Sequence, residues 1–372
     1  MQVRRIDTDN HRDVRRFVHF PFGLYRDSRY WVPPLVSGMS RVLNRHKHPF
    51  YKRSDAVFFL AEDGGRVLGR IALLENGAYN GHNQTRTAQF GYLEMVDDEQ
   101  VGRGLFDAFY DEARRRRLTR VSGPWSVLRT EGSGVLVEGF ELQPAMGVPY
   151  NWPYYDGLIL RQGLQKEHDT YSGALTGDHQ LPERLYAIAD RVRERSGFTV
   201  KTLADKREMR AWVPRVAETY RKAFANVHGF APPTDEEIGA FAETIIAIAD
   251  PRLIKLVLRC DEVVGFALAY PNVTRGLQRA HGRLWPLGWL HILLERRRTK
   301  HIDLNGVGLL PAYQGLGANA LLYVEMTRSL LAFGVEYGDV VQVNEDNFKS
   351  LSDTAYLGVR WNKTHRHYCR DL

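Results

Sequence analysis

Cysteine is nearly absent from this 372-residue chain, which holds only Cys260 and Cys369. Two thiols cannot build a disulfide framework or a cysteine-rich metal site, and their scarcity points to a reducing compartment, most simply the cytoplasm. Long apolar runs are missing as well. The longest candidate, Leu284 to Leu294, is interrupted by Pro286 and Gly288 and falls short of the roughly 18 to 20 residues that cross a bilayer. The N-terminus, MQVRRIDTDNHRDVRRFVHF, has no apolar stretch of the kind a secretory signal needs. No His/Cys/Asp/Glu set shows metal-ligand spacing, so no metal is expected. Zinc-finger and RNA-binding signatures are also missing, and no nucleic-acid partner is expected.

What is present is a soluble, globular composition, 44% hydrophobic and 26% charged, long enough for two domains. The net charge of +7 favours an anionic partner such as the phosphates of a cosubstrate or a lipid headgroup. Two hairpins share one pattern of strand, charged turn and apolar-apolar-Gly. They are Ala56 to Ala61 with Val67 to Leu73, and Leu253 to Leu258 with Val263 to Ala269. Asn151 to Gly163 similarly matches Asn347 to Gly358, each an Asn, a helical stretch and a Gly stop. Gly69 and Gly265 are 196 residues apart, as are Asn151 and Asn347, which suggests a duplicated fold. The middles do not align at that offset, so equal and opposite insertions are expected. The turn-rich Thr176 to Pro182 is a boundary candidate. Helical patterns follow at Glu183 to Ser196, Asp205 to Asn226 and Thr234 to Ala249, the last opening on a Thr234/Glu237 capping pattern.

The most informative stretch is an apolar strand from His301, a Pro-led turn PAYQGLG at 311–317, and an amphipathic helix. Glycine lets backbone approach a phosphate closely, and a helix N-terminus offers unpaired N–H groups and partial positive charge. The stretch is not a P-loop, because no Gly-Lys-Ser/Thr follows, and it lacks a full Gly-x-Gly-x-x-Gly. A bare connecting turn and a pyrophosphate cradle both fit these residues.

Leu309 to Gly317 resembles the acetyl-CoA signature of the GNAT superfamily of N-acetyltransferases, Arg/Gln-x-x-Gly-x-Gly/Ala after a Val-x-Pro strand end. Gln314 and Gly317 match, Gly315 fits a common variant, and Asn319 stands where the family has its last Gly or Ala. Asp339 to Val343 as a strand, with Asn347 eleven residues before Gly358, keeps the family's downstream spacing. The resemblance implies an α/β (α+β) fold of two tandem GNAT-like domains, each a mixed, mostly antiparallel sheet flanked by helices. Residues 1–178 would be a degenerate copy and 179–372 the acyl-CoA-binding copy. It implies acetyl-CoA or a longer acyl-CoA as cosubstrate, with Leu309, Leu310, Gln314, Gly315, Leu316, Gly317, Ala318 and Asn347 as its binding residues. An amine would then attack the thioester directly, with backbone N–H groups holding the oxyanion.

Such attack requires a base. Asp303 shares strand parity with Asn305, Val307 and Leu309, and by resemblance it occupies the place of the carboxylate base in one branch of the family; a solvated charge at the strand start is its structural alternative. Glu345, ending the next strand, is the second candidate; a helix N-terminal acid is its structural alternative. Thr354 stands where many family members have a tyrosine acid, and Tyr356 is offset by two. That leaves the acid unassigned, with His301, His365 and His367 as alternatives.

In the first half, Gln89 to Met95 is the matching strand, and Gly102 and Gly104 echo the loop, but Val101 replaces Gln314, and Asp97, Asp98 and Glu99 would repel a pyrophosphate. Arg283 to Lys300, with Trp285, Trp289 and several leucines among basic residues, suits either peripheral contact with the inner face of a membrane or internal packing. The whole chain is similar to a bacterial double-GNAT family near acyltransferases proposed to N-acylate sphingoid amines. Three functions stay open: transfer of an acyl group to a small-molecule or long-chain lipid amine, acetylation of a small polar amine or protein, and non-catalytic CoA sensing.

Overall fold

A computed structural model describes residues 1–127, 132–225, 227 and 229–372. The chain divides into two compact units, residues 1–170 with 274–292 and 363–372, and residues 171–273 with 293–362. The first unit contains strands β1 (Gln2–Arg5), β2 (Asp55–Asp63), β3 (Arg66–Glu75), β4 (Thr87–Met95), β5 (Arg120–Gly123) and β6 (Val135–Glu138). Its helices are α1 (His11–Leu24), α2 (Val36–Leu43), α3 (Gly77–Asn83), α4 (Glu99–Arg115) and α5 (Tyr155–Leu160). Strand β7 (Gln165–Thr176) carries the chain across the division.

The second unit runs α6 (Glu183–Arg195), β8 (Phe198–Thr202), α7 (Lys206–Phe224), α8 (Asp235–Ile248), β9 (Ile254–Arg259) and β10 (Glu262–Pro271). Helix α9 (Thr274–Ala280) and the first residues of α10 (Gly288–Arg298) are assigned to the first unit. The chain then continues through β11 (His301–Leu309), α11 (Ala318–Phe333), β12 (Tyr337–Asn344), α12 (Phe348–Tyr356) and β13 (Arg360–Asp371). Both expected hairpins and the three helical patterns are present, with the Thr234 capping box formed. Asn226, the last residue of the second pattern, lies outside the described residues.

Each unit has helices on both faces of its sheet, which is why the central strands are apolar throughout rather than alternating. In β2, Val57, Phe59 and Ala61 pack with α4, while Ala56, Phe58 and Leu60 pack with α1 and α2. In the second unit, Val264, Ala267 and Ala269 pack with α6 and α11, while Phe266 and Leu268 pack with α7 and α8.

The two units repeat each other strand for strand. The order β1-β2-β3-β4-β5 is matched by β8-β9-β10-β11-β12, antiparallel until the last pair, which is parallel in both. Gly69 faces Met95 as Gly265 faces Leu309, and five residues on, Leu74 faces Gln89 as Tyr270 faces Asp303. Both β4 and β11 carry an extra residue between those points. The equal offsets arise from opposite insertions. Asn272 to His301 spans 29 residues where Asn76 to Thr87 spans 11, and Ser122 to Asn151 spans 29 where Asp339 to Asn347 spans 8.

Candidate functional site

Strand β11 leaves its sheet through a single 3-10 turn, Pro311–Tyr313, and the backbone then passes Gly315 (φ 77°) and Gly317 (φ 82°) into α11. Both glycines hold left-handed conformations that other residues resist. Gly317 is also packed against α6, where an added Cβ would meet Val192 at 2.6 Å. As the N-cap it brings no side chain to the helix; the Ala320 N–H is taken by the Asn319 side chain and the Gly317 carbonyl, both at 3.0 Å, which leaves the Ala318 and Asn319 N–H groups to face an anion. Above them lies a cleft of about 480 Å³, walled by Ile188 and Arg191 of α6, Leu316, Asn319 and Tyr323, and Tyr356 of α12. Gln314 is held between the Leu309 carbonyl (3.3 Å) and Lys349 Nζ (2.9 Å).

Asn319, the departure from the family signature, ties two helices together. Its amide donates to Asp353 at 3.2 Å beside the Tyr323 hydroxyl at 2.9 Å. Burial and the Asp353 charge both push the Tyr323 hydroxyl up, which keeps it a donor. Asn347 caps α12 by accepting the Ser350 N–H at 3.1 Å.

Below the turn the strands part. The parallel ladder joins His301–Leu304 to Tyr337–Val340 and, among the described residues, ends there, although β11 runs on to Leu309 and β12 to Asn344. Edge backbone is therefore available along the gap, the geometry an extended ligand arm can use. At the head of the gap β11 bulges: Leu268 faces Gly306 and Ala269 faces Leu304, leaving Asn305 as the extra residue. A bulge takes backbone groups out of the ladder and re-aims them. It also corrects the single parity expected from Asp303 to Leu309. Leu304 and Leu309 pack on the α11 side, whereas Gly308 lies under Phe266 and Phe224 on the α7 side.

Asp303 is fully buried and accepts the Asn272 side-chain N–H at 2.8 Å. Its register partner Asp339 is equally buried, and ligand atoms of His301, Asp303 and Asp339 lie within 4.8 Å of one another. His301 Nε2 is 3.9 Å from Asp303, and the imidazole packs edge-on to Tyr337. Glu345 instead lies near the Tyr171 hydroxyl, 3.5 Å away. It stands six residues beyond Asp339, the register partner of Asp303. Asp303 is at the closed end of the gap, and Glu345 follows Asn344, the last residue of β12, at its mouth. Thr354 turns its hydroxyl back to the Ser350 carbonyl. His365 and His367 are buried in the first unit; burial lowers His365 to about 4 and its ring meets the Pro149 carbonyl.

The same positions in the first unit are closed. Asp98 caps α4 through the Gln100 N–H at 2.8 Å, so the helix starts four residues after β4. Gly102 and Gly104 consequently lie inside α4, not in a loop. The Met95 N–H donates to the Tyr155 hydroxyl (2.9 Å), and its carbonyl accepts from Tyr154 (2.7 Å). Trp125 N–H takes the Phe90 carbonyl at 2.8 Å, bringing chain into the gap beyond β5.

The sequence reading did not find Asp339, Asn272, the bulge or the α6 wall. Each depends on a cross-strand partner or a distant helix. The paired aspartates were visible as residues but not as neighbours.

No family model matches the chain. It is 27% identical over 379 residues to the bacterial ceramide synthase of Caulobacter vibrioides, covering 97% of this chain and 95% of that one. It is 25% identical over 329 residues to protein YghO of Escherichia coli, covering 87% and 83%. Among solved structures, a tandem GNAT protein from the clavulanic acid biosynthesis pathway superposes with a TM-score of 0.57 at 12% identity, covering 100% of this chain and 98% of that one. The chain has the tandem GNAT fold.

Proposed function

We propose that the chain is an acyl-CoA-dependent N-acyltransferase that uses the second unit's cleft for its donor and a long-chain, sphingoid-like amine as acceptor. The observation that carries this reading is the α11 N-terminus, with its two left-handed glycines and no capping side chain from Gly317, lying under the cleft between α6 and α12. The pyrophosphate fits the N–H groups from Gly315 to Ala318, since that of Gln314 donates to the Pro311 carbonyl, with Arg191 and Lys349 supplying positive charge. The pantetheine arm fits the edge backbone near Leu309 and Leu310.

At the closed end the amine nitrogen attacks the thioester carbon. The carbonyl electrons move onto oxygen, stabilised by N–H groups freed at the Asn305 bulge. Collapse of the tetrahedral species breaks the C–S bond and expels the CoA thiolate, which takes up a proton from solvent, while Asp303 later returns the amine's proton to solvent. The amine's proton passes to Asp303 through His301, the half-buried member of the pair, with Asn272 orienting the carboxylate. Glu345, just beyond the end of β12, is the second candidate for the base.

Two observations support a lipid acceptor and a long acyl chain. One is the 27% identity to a ceramide synthase along nearly the whole of both chains. The other is the cluster of Phe224, Phe266 and Tyr220 packed beside Gly308, whose apolar side chains would have to part to admit an acyl chain. Acetylation of a small polar amine, or CoA sensing without transfer, are the alternatives. Thr354 in place of a tyrosine acid favours the sensor. Calorimetry with CoA, acetyl-CoA and palmitoyl-CoA tests the donor site, and amine-dependent thiol release from palmitoyl-CoA with a sphingoid base tests the reaction. Palmitoyl-CoA is expected to bind most tightly and to turn over. Failure of all three to bind removes the donor reading, and binding without turnover for any amine favours the sensor.

A further inference from the structure

Within the first unit, the turn between α9 and α10 displays apolar side chains that nothing in the unit covers. Trp285 is 80% exposed, Leu287 60% and Trp289 45%. These are large values for such residues, and they stand within five positions of one another. The mount beneath them is firm. Gln278 donates to the carbonyls of Arg29 and Trp31 (both 2.9 Å), and Val36 N–H donates to the Gly282 carbonyl at 2.8 Å. Gly282 is left-handed, and an added Cβ would strike the Pro34 carbonyl at 2.6 Å. The Trp289 indole N–H turns back to the Pro286 carbonyl at 3.0 Å.

Within residues 274–292 the charges have one sign. Residues 274–292 contain Arg275, Arg279 and Arg283 with His281 and His291, and no Asp or Glu. Arg283 and Arg15 lie close enough to His19 that, after burial, their charges add to the lowering of its pKa. Indole rings with a basic surround are the composition of an interfacial anchor: the rings enter the headgroup layer while arginines meet lipid phosphates. A face meant for another protein would be expected to mix charges at its rim.

We infer that this turn docks the protein on the surface of an anionic bilayer, with Trp285, Leu287 and Trp289 inserted and Arg275 and Arg283 against the headgroups. The inference stands on the first unit alone and does not depend on the acceptor proposed for the second.

The test is sedimentation of the full chain with phosphatidylcholine vesicles, with and without about 30% phosphatidylglycerol, alongside tryptophan emission. The chain is expected to bind the anionic vesicles, with a blue shift, and to lose binding as salt rises. Replacing the three side chains together, Trp285→Ser, Leu287→Ser and Trp289→Ser, should weaken partitioning roughly tenfold or more, while circular dichroism and thermal melting unchanged from the wild type check that the variant folds. Arg283→Glu should weaken it less and reduce the salt dependence. No binding by the wild-type chain, equal binding by the triple variant, or indifference to phosphatidylglycerol would each overturn the inference. So would a concentration-dependent dimer that the triple variant abolishes without any vesicle binding, since the face would then belong to a second copy.

Discussion

Strands β4 and β11 have the same register, the same facing glycine and the same extra residue, yet one ends against two tyrosines and the other against open backbone. Met95 has its N–H and carbonyl taken by Tyr155 and Tyr154, whereas the equivalent Leu309 gives its carbonyl to a long 3.3 Å contact with Gln314. Helix α4 is closed by Asp98, and α11 begins on bare Gly317. Where the second unit has Phe266 facing Gly308, the first has Arg70 facing Glu94, a buried pair that Tyr25 and Tyr155 complete. The fold thus supplies a ligand slot wherever it is built, and side chains decide whether the protein fills that slot itself. The first unit has turned a binding geometry into core.

The largest expected effect is on the open turn. Gly317→Glu places a carboxylate where the pyrophosphate would lie. Like charges about 4 Å apart at an effective dielectric near 20 repel by about 4 kcal/mol, roughly a thousandfold in affinity. Calorimetry should find one CoA site per chain in the wild type and none in the variant. Two sites, or unchanged affinity in a folded variant, would end the contrast between the units.

Next comes Asp303→Asn, expected to lower kcat by roughly 10²- to 10⁴-fold with CoA affinity unchanged. Gln89 fills the equivalent place in the first unit, so Gln89→Ala should leave kcat untouched. A smaller loss from Asp303→Asn than from Glu345→Gln would move the base to the mouth of the gap.

The tandem fold was legible because it depends on local signals. Hairpins announce themselves through turns and runs, and Gly69 and Gly265 mark the same close approach twice. The donor turn was legible for a similar reason, since Gly315, Gly317 and the following helix are contiguous. The catalytic end was not. A bulge shifts parity by one without any residue that declares it, so Asp303 could not be placed relative to Val307 or Leu309. Asp339 becomes its neighbour only through parallel pairing with a strand 36 residues on. The closing of the first unit was half visible: Asp97, Asp98 and Glu99 showed hostility to phosphate, but nothing showed that Tyr154 and Tyr155 would reach Met95.

Because the plug in the first unit is ionic, it should be sensitive to losing one partner and tolerant of losing both. Burial raises Glu94 and lowers Arg70, so each is a costly charge without the other. Glu94→Gln should cost about 3 to 5 kcal/mol of stability in urea, because Arg70 is left unpaired. Arg70→Met with Glu94→Leu should recover most of that loss. A double variant as unstable as the single would mean that the tyrosine hydroxyls, rather than the ion pair, set the requirement.

The smallest effect separates the units by pH. His365 belongs to the first unit, and burial, opposed by the Pro149 carbonyl and aided by nearby Lys363, lowers it from 6.5 to about 4. Between those values the unfolded chain takes up a proton that the folded unit refuses, so stability falls as the pH drops and is constant above neutrality. From pH 7 to pH 5 the loss is about 2 kcal/mol. For a unit of this size that lowers the melting midpoint by roughly 4 to 8 °C. Calorimetric scans with saturating CoA should then show two responses: the transition raised by CoA belongs to the second unit, and the transition lowered by acid belongs to the first. His365→Gln should flatten the acid response and leave the CoA response intact. If acid and CoA move one shared transition in a single cooperative step, the open and closed units melt as one body, and the independence on which the comparison rests is lost.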